Sequence, residues 1–307
     1  MPIVVVGNVF VDIKGFPDAK YIPAGRNSGW VEFVHGGVGR NVAEDIANVE
    51  LRPRFVSMVD DTEQGEAVLR KLRKHKVDTR YVTVVPDGMG MWLAIHDSTG
   101  DIVASISKRP SMDALYTLLE RCGDEIFRDA DSIVLEIDMD KEIVKQVISY
   151  AEKYQVKLYS VVANMSIASQ RRDFLQSIDC FVCNAQEAGI LFANDYLQSM
   201  EPEAMVDALS AHVISANIPA MVVTMGSRGA VYATRDGARG HCSARPVHVR
   251  DTSGAGDAFC SGVVIGLTYG KSLPEACDIG ARLAASVITV TENTCPRFLP
   301  RELGIEL

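Results

Sequence analysis

No stretch of the sequence approaches the ~18 apolar residues that a membrane-spanning helix needs, so no transmembrane helix is expected. The first residues, MPIVVVGNVFVDI, lack the basic start of a secretory signal and meet an acid at Asp12. They read as a first strand. Basic residues are scarce beside acidic ones: 31 Lys and Arg against 40 Asp and Glu leave a net charge of −9. That balance argues against a non-specific partner of nucleic acid or anionic membrane. It does not exclude a bound phosphate, because backbone amides can hold an anion in an acidic protein. The seven cysteines are odd in number and scattered, as expected of reduced thiols in the cytoplasm rather than of a disulfide framework. Cys180 and Cys183 flank a strand-like FV, and no second Cys/His pair has zinc-ligand spacing. Buried strand positions are expected there rather than a metal or redox motif.

Two common nucleotide motifs are also missing. GLTYGKS (266–272) resembles a phosphate-binding Walker loop, but Ile265 stands where its first glycine should be and a helical pattern precedes it. GVGRNV (37–42) lacks the third glycine of the dinucleotide fingerprint. No internal repeat or low-complexity linker interrupts the chain.

What is present is alternation. The 307 residues suffice for one large α/β domain or two small ones. Strand-like runs lie at 3–7, 54–59, 132–137, 157–162, 180–183 and 220–225. Helical patterns fall at 39–49, 62–75, 140–154, 168–177, 185–194, 201–215, 255–268 and 273–290. Near-continuous Val/Ile/Leu strands between amphipathic helices predict a largely parallel sheet covered on both faces. Residues 9–35 and MWLAIHDSTGDIVASIS (91–107) break the pattern. The second alternates with period two around STGD, which has hairpin chemistry. Together the two segments make either a small sheet over the crevice at the strand ends or a pair of surface hairpins.

DTSGAGDAFCSG (251–262) carries the chemistry. Gly254, Ala255 and Gly256 leave the backbone bare before an apolar helix. A helix N-terminus offers unpaired N–H groups and a positive dipole end to an anion. Asp257 in that first turn would sit beside the anion. One role for it is to take the proton of a hydroxyl that attacks a phosphate. The other is to cap the helix.

These residues resemble the ribokinase-like (PfkB) family of carbohydrate and nucleoside kinases. GGVGRNVAEDIA (36–47) and DTSGAGDAFCSG look like its two signatures. Between and around them, NAQE (184–187) is similar to its NxxE element, TMGSRGA (224–230) to its TxGxxG turn, NTCPRFLP (293–300) to its C-terminal loop, and GNVFVD (7–12) to its first strand. The resemblance spans nearly the whole chain. It implies a single domain over 1–307, a three-layer sandwich with a mostly parallel central sheet, and a discontinuous β lid from about 9–35 and 88–108. It implies transfer of the γ-phosphate of ATP to a primary hydroxyl, with Asp257 as base and the amides of Gly254, Ala255 and Gly256 as anion hole. It places Asp12, Gly36, Gly37, Val38 and Asn41 at the acceptor, and Asn184, Glu187, Thr224, Gly226, Gly229 and Asn293 at the nucleotide. Glu187 would organise Mg²⁺ through water, and Asp251 with Ser253 a monovalent cation such as K⁺. Lids in such proteins often pair two subunits, so a homodimer is expected.

The acceptor is read from the first signature. Ribokinases usually carry Lys after the Gly-Gly pair, where this chain has Val38. GGVGRN and the upstream NSGWVEF (27–33) resemble the form found in pseudouridine kinases. An apolar Val38 with Trp92 or Trp30 suits a flat base, although both tryptophans could equally pack the lid. Arg40 either reaches the base or lies solvated on its helix. Three readings follow: a pseudouridine or related nucleoside kinase acting on the 5′-hydroxyl, a kinase of ribose, fructose or a deoxy sugar acid, and a non-catalytic nucleotide- or sugar-binding regulator.

Overall fold

The computed structural model describes residues 2–99, 101–194 and 200–306. The chain opens with β1 (Ile3–Val6), four buried branched residues. It leaves the main body through β2 (Phe10–Pro17) and β3 (Gly29–Gly36), then returns in α1 (Val38–Asn48). Next come β4 (Arg54–Val59), α2 (Glu63–Lys74) and β5 (Asp78–Val84). Helix α2 has Thr62 accepting from the Gly65 amide, acids in its first turn and bases in its last, so its ends oppose its own dipole. A second excursion makes β6 (Gly90–His96) and β7 (Ile102–Lys108). Then follow α3 (Asp113–Phe127), β8 (Ser132–Glu136), α4 (Lys141–Tyr154) and β9 (Lys157–Val161). A short α5 (Met165–Ala168) runs into a 3₁₀ segment (Ser169–Ser177). After it come β10 (Cys180–Asn184), α6 (Ala185–Phe192), α7 (Pro202–Ser215) and β11 (Ala220–Thr224). The chain closes with β12 (Ala230–Thr234), β13 (Arg239–Cys242), α8 (Ala255–Thr268) and α9 (Leu273–Val287).

The large sheet runs β13-β12-β11-β10-β9-β8-β1-β4-β5, parallel except at β12 and β13. Alternate residues of β1 enter different cores. Val4 and Val6 pack with Leu115, Leu119, Val144 and Leu209 from α3, α4 and α7. Ile3 and Val5 pack with Ile46, Leu72, Val264 and Leu283 from α1, α2, α8 and α9. The expected three layers follow from that period-two division. Strand order reverses at β1 and β8, so the loops beyond their C-terminal ends diverge and leave a crevice. A second, four-stranded sheet in the order β3-β2-β6-β7 stands beside it, built from the two segments that broke the alternation.

Some expectations change. The helix expected over 168–177 is mostly 3₁₀, because Leu175 is the one apolar anchor buried in a polar QRRDFLQS run. Helix α9 ends at Val287, where the β-branched run ITVT begins. Helix α3 and strands β5, β12 and β13 were not anticipated. Cys180 and Cys183 are buried in β10, and burial pushes both thiols up. Gly100 of the STGD turn lies outside the described residues, although the flanking β6 and β7 pair antiparallel.

Candidate active site

The N-terminus of α8 stands between two cavities. One, of about 440 Å³, is bordered by Asp12, Gly37, Val38, Asn41, Gly254 and Asp257. The other, of about 560 Å³, is bordered by Thr224, Gly226, Gly229, Ala255 and Gly256, with Val247, Val249 and Ile288 as an apolar wall. Gly254 and Asp257 of GAGD thus open onto the first cavity, and Ala255 and Gly256 onto the second. Gly254 has φ 78, and a Cβ there would collide with the Asn293 carbonyl. A side-chain-bearing residue is excluded at that turn by conformation and by space. A Cβ on Gly256 would meet nothing within 4 Å. Protein packing therefore gives no reason for glycine at 256, whereas close approach by a ligand does. No side chain caps the helix. Among the described residues, the amide of Ala255 bonds the Thr252 carbonyl, and those of Gly254 and Gly256 have no backbone partner.

Asp257 faces the first of these cavities. Asn41 Nδ2 donates to its Oδ2 (2.6 Å). Burial pushes its carboxyl up to about 6, against the Asn41 hydrogen bond and the Arg40 charge, which pull it down. Among the described residues Asn41 Oδ1 is buried without a partner, an acceptor waiting for a donor. Gly37 caps α1 at φ 98, which lets the chain turn from β3 into the helix. Asp12 lies over Gly36, where a Cβ would strike its carboxylate. Burial raises the Asp12 carboxyl, and Lys14 and Arg40 oppose that rise.

Arg40 takes neither direction anticipated. It is 1% exposed and paired with Glu44 (2.6 Å). It also donates to the His35 carbonyl and to Asn293 Oδ1 (3.2 Å). The guanidinium thus ties β3, α1 and the 293 loop together behind the cavity. Asn293, expected at the nucleotide, borders the cavity at Asp257. Trp92 lines the same cavity, while Trp30 stacks on Phe16 further out (5.0 Å between ring centres).

Asn184 and Glu187 form a reciprocal capping box on α6. Burial pushes the Glu187 carboxyl up to about 7, and the charges of Asp257 and Asp138 add to that. Asp251 accepts from the Ser253 amide (2.8 Å), and both border the cavity at Asp257. Burial raises Asp251, but hydrogen bonds from Ser253 and the Lys14 charge together hold the carboxyl below its ordinary value. Among the described residues no cluster of three or more His, Cys, Asp or Glu could cage a metal ion.

The sequence did not single out Glu136, which ends β8 and borders the cavity. Its carboxylate accepts from Asn8 N (2.9 Å), Asn8 Nδ2 (2.7 Å) and Gly39 N (3.2 Å). It fastens the loop after β1 to the start of α1, and burial with Asp138 nearby pushes its carboxyl up. Arg109, paired with Asp138, and Asn164 were missed as well.

A pfkB family carbohydrate kinase profile matches residues 2–296. Guanosine-inosine kinase of Exiguobacterium acetylicum is 35% identical over 295 residues, covering 95% of each chain. Pseudouridine kinase of Escherichia coli is 25% identical over 276 residues, covering 88% of this chain and 86% of that one. The structure of Arabidopsis thaliana ribokinase complexed with ribose and ATP superposes with a TM-score of 0.82 at 22% identity, covering 98% of both chains. No helix among the described residues is long and apolar enough to cross a membrane. The chain therefore belongs to the pfkB family of carbohydrate kinases, with the ribokinase-like α/β fold, and is a phosphotransferase of the sugar and nucleoside kinases.

Proposed function

We propose that this kinase transfers the γ-phosphate of ATP to the 5′-hydroxyl of a nucleoside, and that its acceptor is a purine nucleoside of the guanosine–inosine type. The observation that carries the reaction is the junction of two cavities at the start of α8, with Asp257 on the acceptor side. ATP would lie with its base along Val247, Val249 and Ile288 and its phosphates toward Gly226, Ala255 and Gly256. Asp257 takes the hydroxyl proton as the oxygen attacks, and the uncapped amides of the first turn meet the charge on the phosphoryl group. Asp12 and the free Asn41 Oδ1 accept from ribose hydroxyls. Glu187, whose carboxyl feels the charge of Asp257, would hold Mg²⁺ through water, as suits an ion bound mostly by phosphate and water. Bound there, Mg²⁺ would neutralise phosphate charge. Asp251 and Ser253 are the place for a monovalent cation, tested by a K⁺ titration.

The purine assignment is supported by the 35% identity to a guanosine-inosine kinase over 95% of both chains. Pseudouridine is the second reading, favoured by GGVGRN and NSGWVEF. Steady-state kcat/KM for inosine, guanosine, pseudouridine, uridine, ribose and fructose decides among these. Preference for inosine and guanosine supports the proposal. Preference for pseudouridine over uridine supports the second reading, and superiority of ribose or fructose removes the nucleoside assignment.

A further inference from the structure

We infer that Lys14 and Glu32 select the acceptor by reading a lactam edge on its base, a ring N–H beside a ring carbonyl. The inference rests on the nucleoside reading above. Strands β2 and β3 present alternate residues to the cavity. Their register pairs Asp12 with Val34, Lys14 with Glu32 and Phe16 with Trp30. The first two pairs border the cavity. In the third, Phe16 stacks between Trp30 and His96 (5.0 and 4.5 Å between ring centres). Successive rows on one face of a strand are about 7 Å apart. The Asp12 row is the one whose charge reaches Asp257. Lys14 and Glu32 stand one row further out. A nucleoside with its 5′-hydroxyl at Asp257 and its ribose at Asp12 and Asn41 carries its base to that row. Trp92, paired with Asp12 across β2 and β6, offers a flat surface on the way.

Opposite charges set across a strand ladder commonly pair with each other. These two do not: among the described residues neither side chain has a hydrogen-bond or ion-pair partner. The Lys14 charge is felt at Asp12 and Asp251 instead. An ammonium only donates and a carboxylate only accepts. Hypoxanthine and guanine present a carbonyl beside a ring N–H, the complement of that pair, and so does the uracil ring of pseudouridine. Adenine and cytosine present an amino group beside a bare ring nitrogen. There the carboxylate would face a lone pair and the ammonium an N–H, leaving all four groups unpaired.

The test is kcat/KM for inosine, guanosine, adenosine and ribose in the native enzyme, Glu32→Ala, Glu32→Gln and Lys14→Met. The native enzyme is expected to prefer inosine to adenosine by at least about 100-fold. Glu32→Ala and Lys14→Met should each lower kcat/KM for inosine by about 10- to 100-fold, while adenosine, relieved of a mismatched group, does not fall and ribose, which has no base, changes by less than about threefold. Glu32→Gln should raise the relative rate with adenosine, because its amide can donate. Glu32 is exposed on β3, so the variants should melt with the native protein. Equal use of adenosine and inosine by the native enzyme overturns the inference, as does a uniform loss across all acceptors in the variants. A native enzyme that phosphorylates ribose or fructose but no nucleoside removes the nucleoside reading and this inference together, a result distinct from either of those.

Discussion

At the scale of single residues, Asp257 shows how burial and function oppose each other. Its carboxyl titrates near 6 in the fold, against about 4 in an unfolded chain. The folded state therefore holds the proton through that window. The stability this group contributes is full below pH 4 and lost as pH rises through 6. Asp257→Asn should accordingly gain about 2–3 kcal/mol at pH 8 and nothing at pH 4, measured by urea unfolding at both. In the active enzyme kcat/KM should rise with pH to a plateau above 6, since the base must be ionised. Asn41 supplies the larger of the two effects that hold this carboxyl down. Asn41→Ala should thus move the acid limb upward, whatever it does to acceptor binding, as a pH–rate profile will register. Glu187 needs ionisation too. Glu187→Gln should raise the Mg²⁺ concentration at half-maximal rate, and an unchanged Mg²⁺ titration would leave this residue as a helix cap alone.

At the scale of elements, the start of α8 concentrates the chemistry, and its glycines separate two causes. Gly254→Ala meets a left-handed backbone and the Asn293 carbonyl, so it should destabilise the protein by more than 1 kcal/mol, on the order of a strained-backbone substitution. Gly256→Ala meets no protein atom. It should leave the melting temperature unchanged while raising KM for ATP or lowering kcat, a split that thermal unfolding beside kinetics will reveal. This element was legible in the sequence because bare backbone, helix start and carboxylate are contiguous in DTSGAGDAFCSG. The same holds for β1, β4, β8 and β11, whose buried runs are unbroken. The cavity walls were not legible. Glu136, Arg109 and Asn164 come from separate elements and share no spacing, so only the fold brings them together. Val247, Val249 and Ile288 look like any apolar residues until a cavity is found beside them. The contacts of the Asn293 side chain with the His35 carbonyl (2.9 Å) and Arg40 were not legible either, because they span a sequence range that local reading cannot reach.

At the scale of the whole molecule, the small sheet is the part that should move. Its inner face borders the cavity at Asp257, and among the described residues it shares no ladder with the large sheet. Acting as a lid, residues 9–35 and 88–108 should exchange amide hydrogens faster in the free enzyme than with acceptor and a non-hydrolysable ATP analogue. Equal protection in both states would count against closure. Its outer face carries Val31, Phe33 and Ile106 at 61%, 59% and 70% exposure, an apolar surface that a second copy of the chain would cover. Sedimentation should therefore find a dimer, and Phe33→Asp with Ile106→Asp should give a monomer. A monomeric native protein would remove the dimer and leave the chemistry standing.

The claim that joins these scales is that two cavities exchange a phosphoryl group across the start of α8 with Asp257 as base. Single-turnover transfer from saturating ATP to saturating acceptor, in the native enzyme and Asp257→Asn from pH 5 to 8, addresses it most directly. The account predicts an acid limb near 6 in the native enzyme and a variant slower by roughly 10²–10⁴ with no such limb. A variant that keeps the native rate, or one that keeps the same limb, would contradict it.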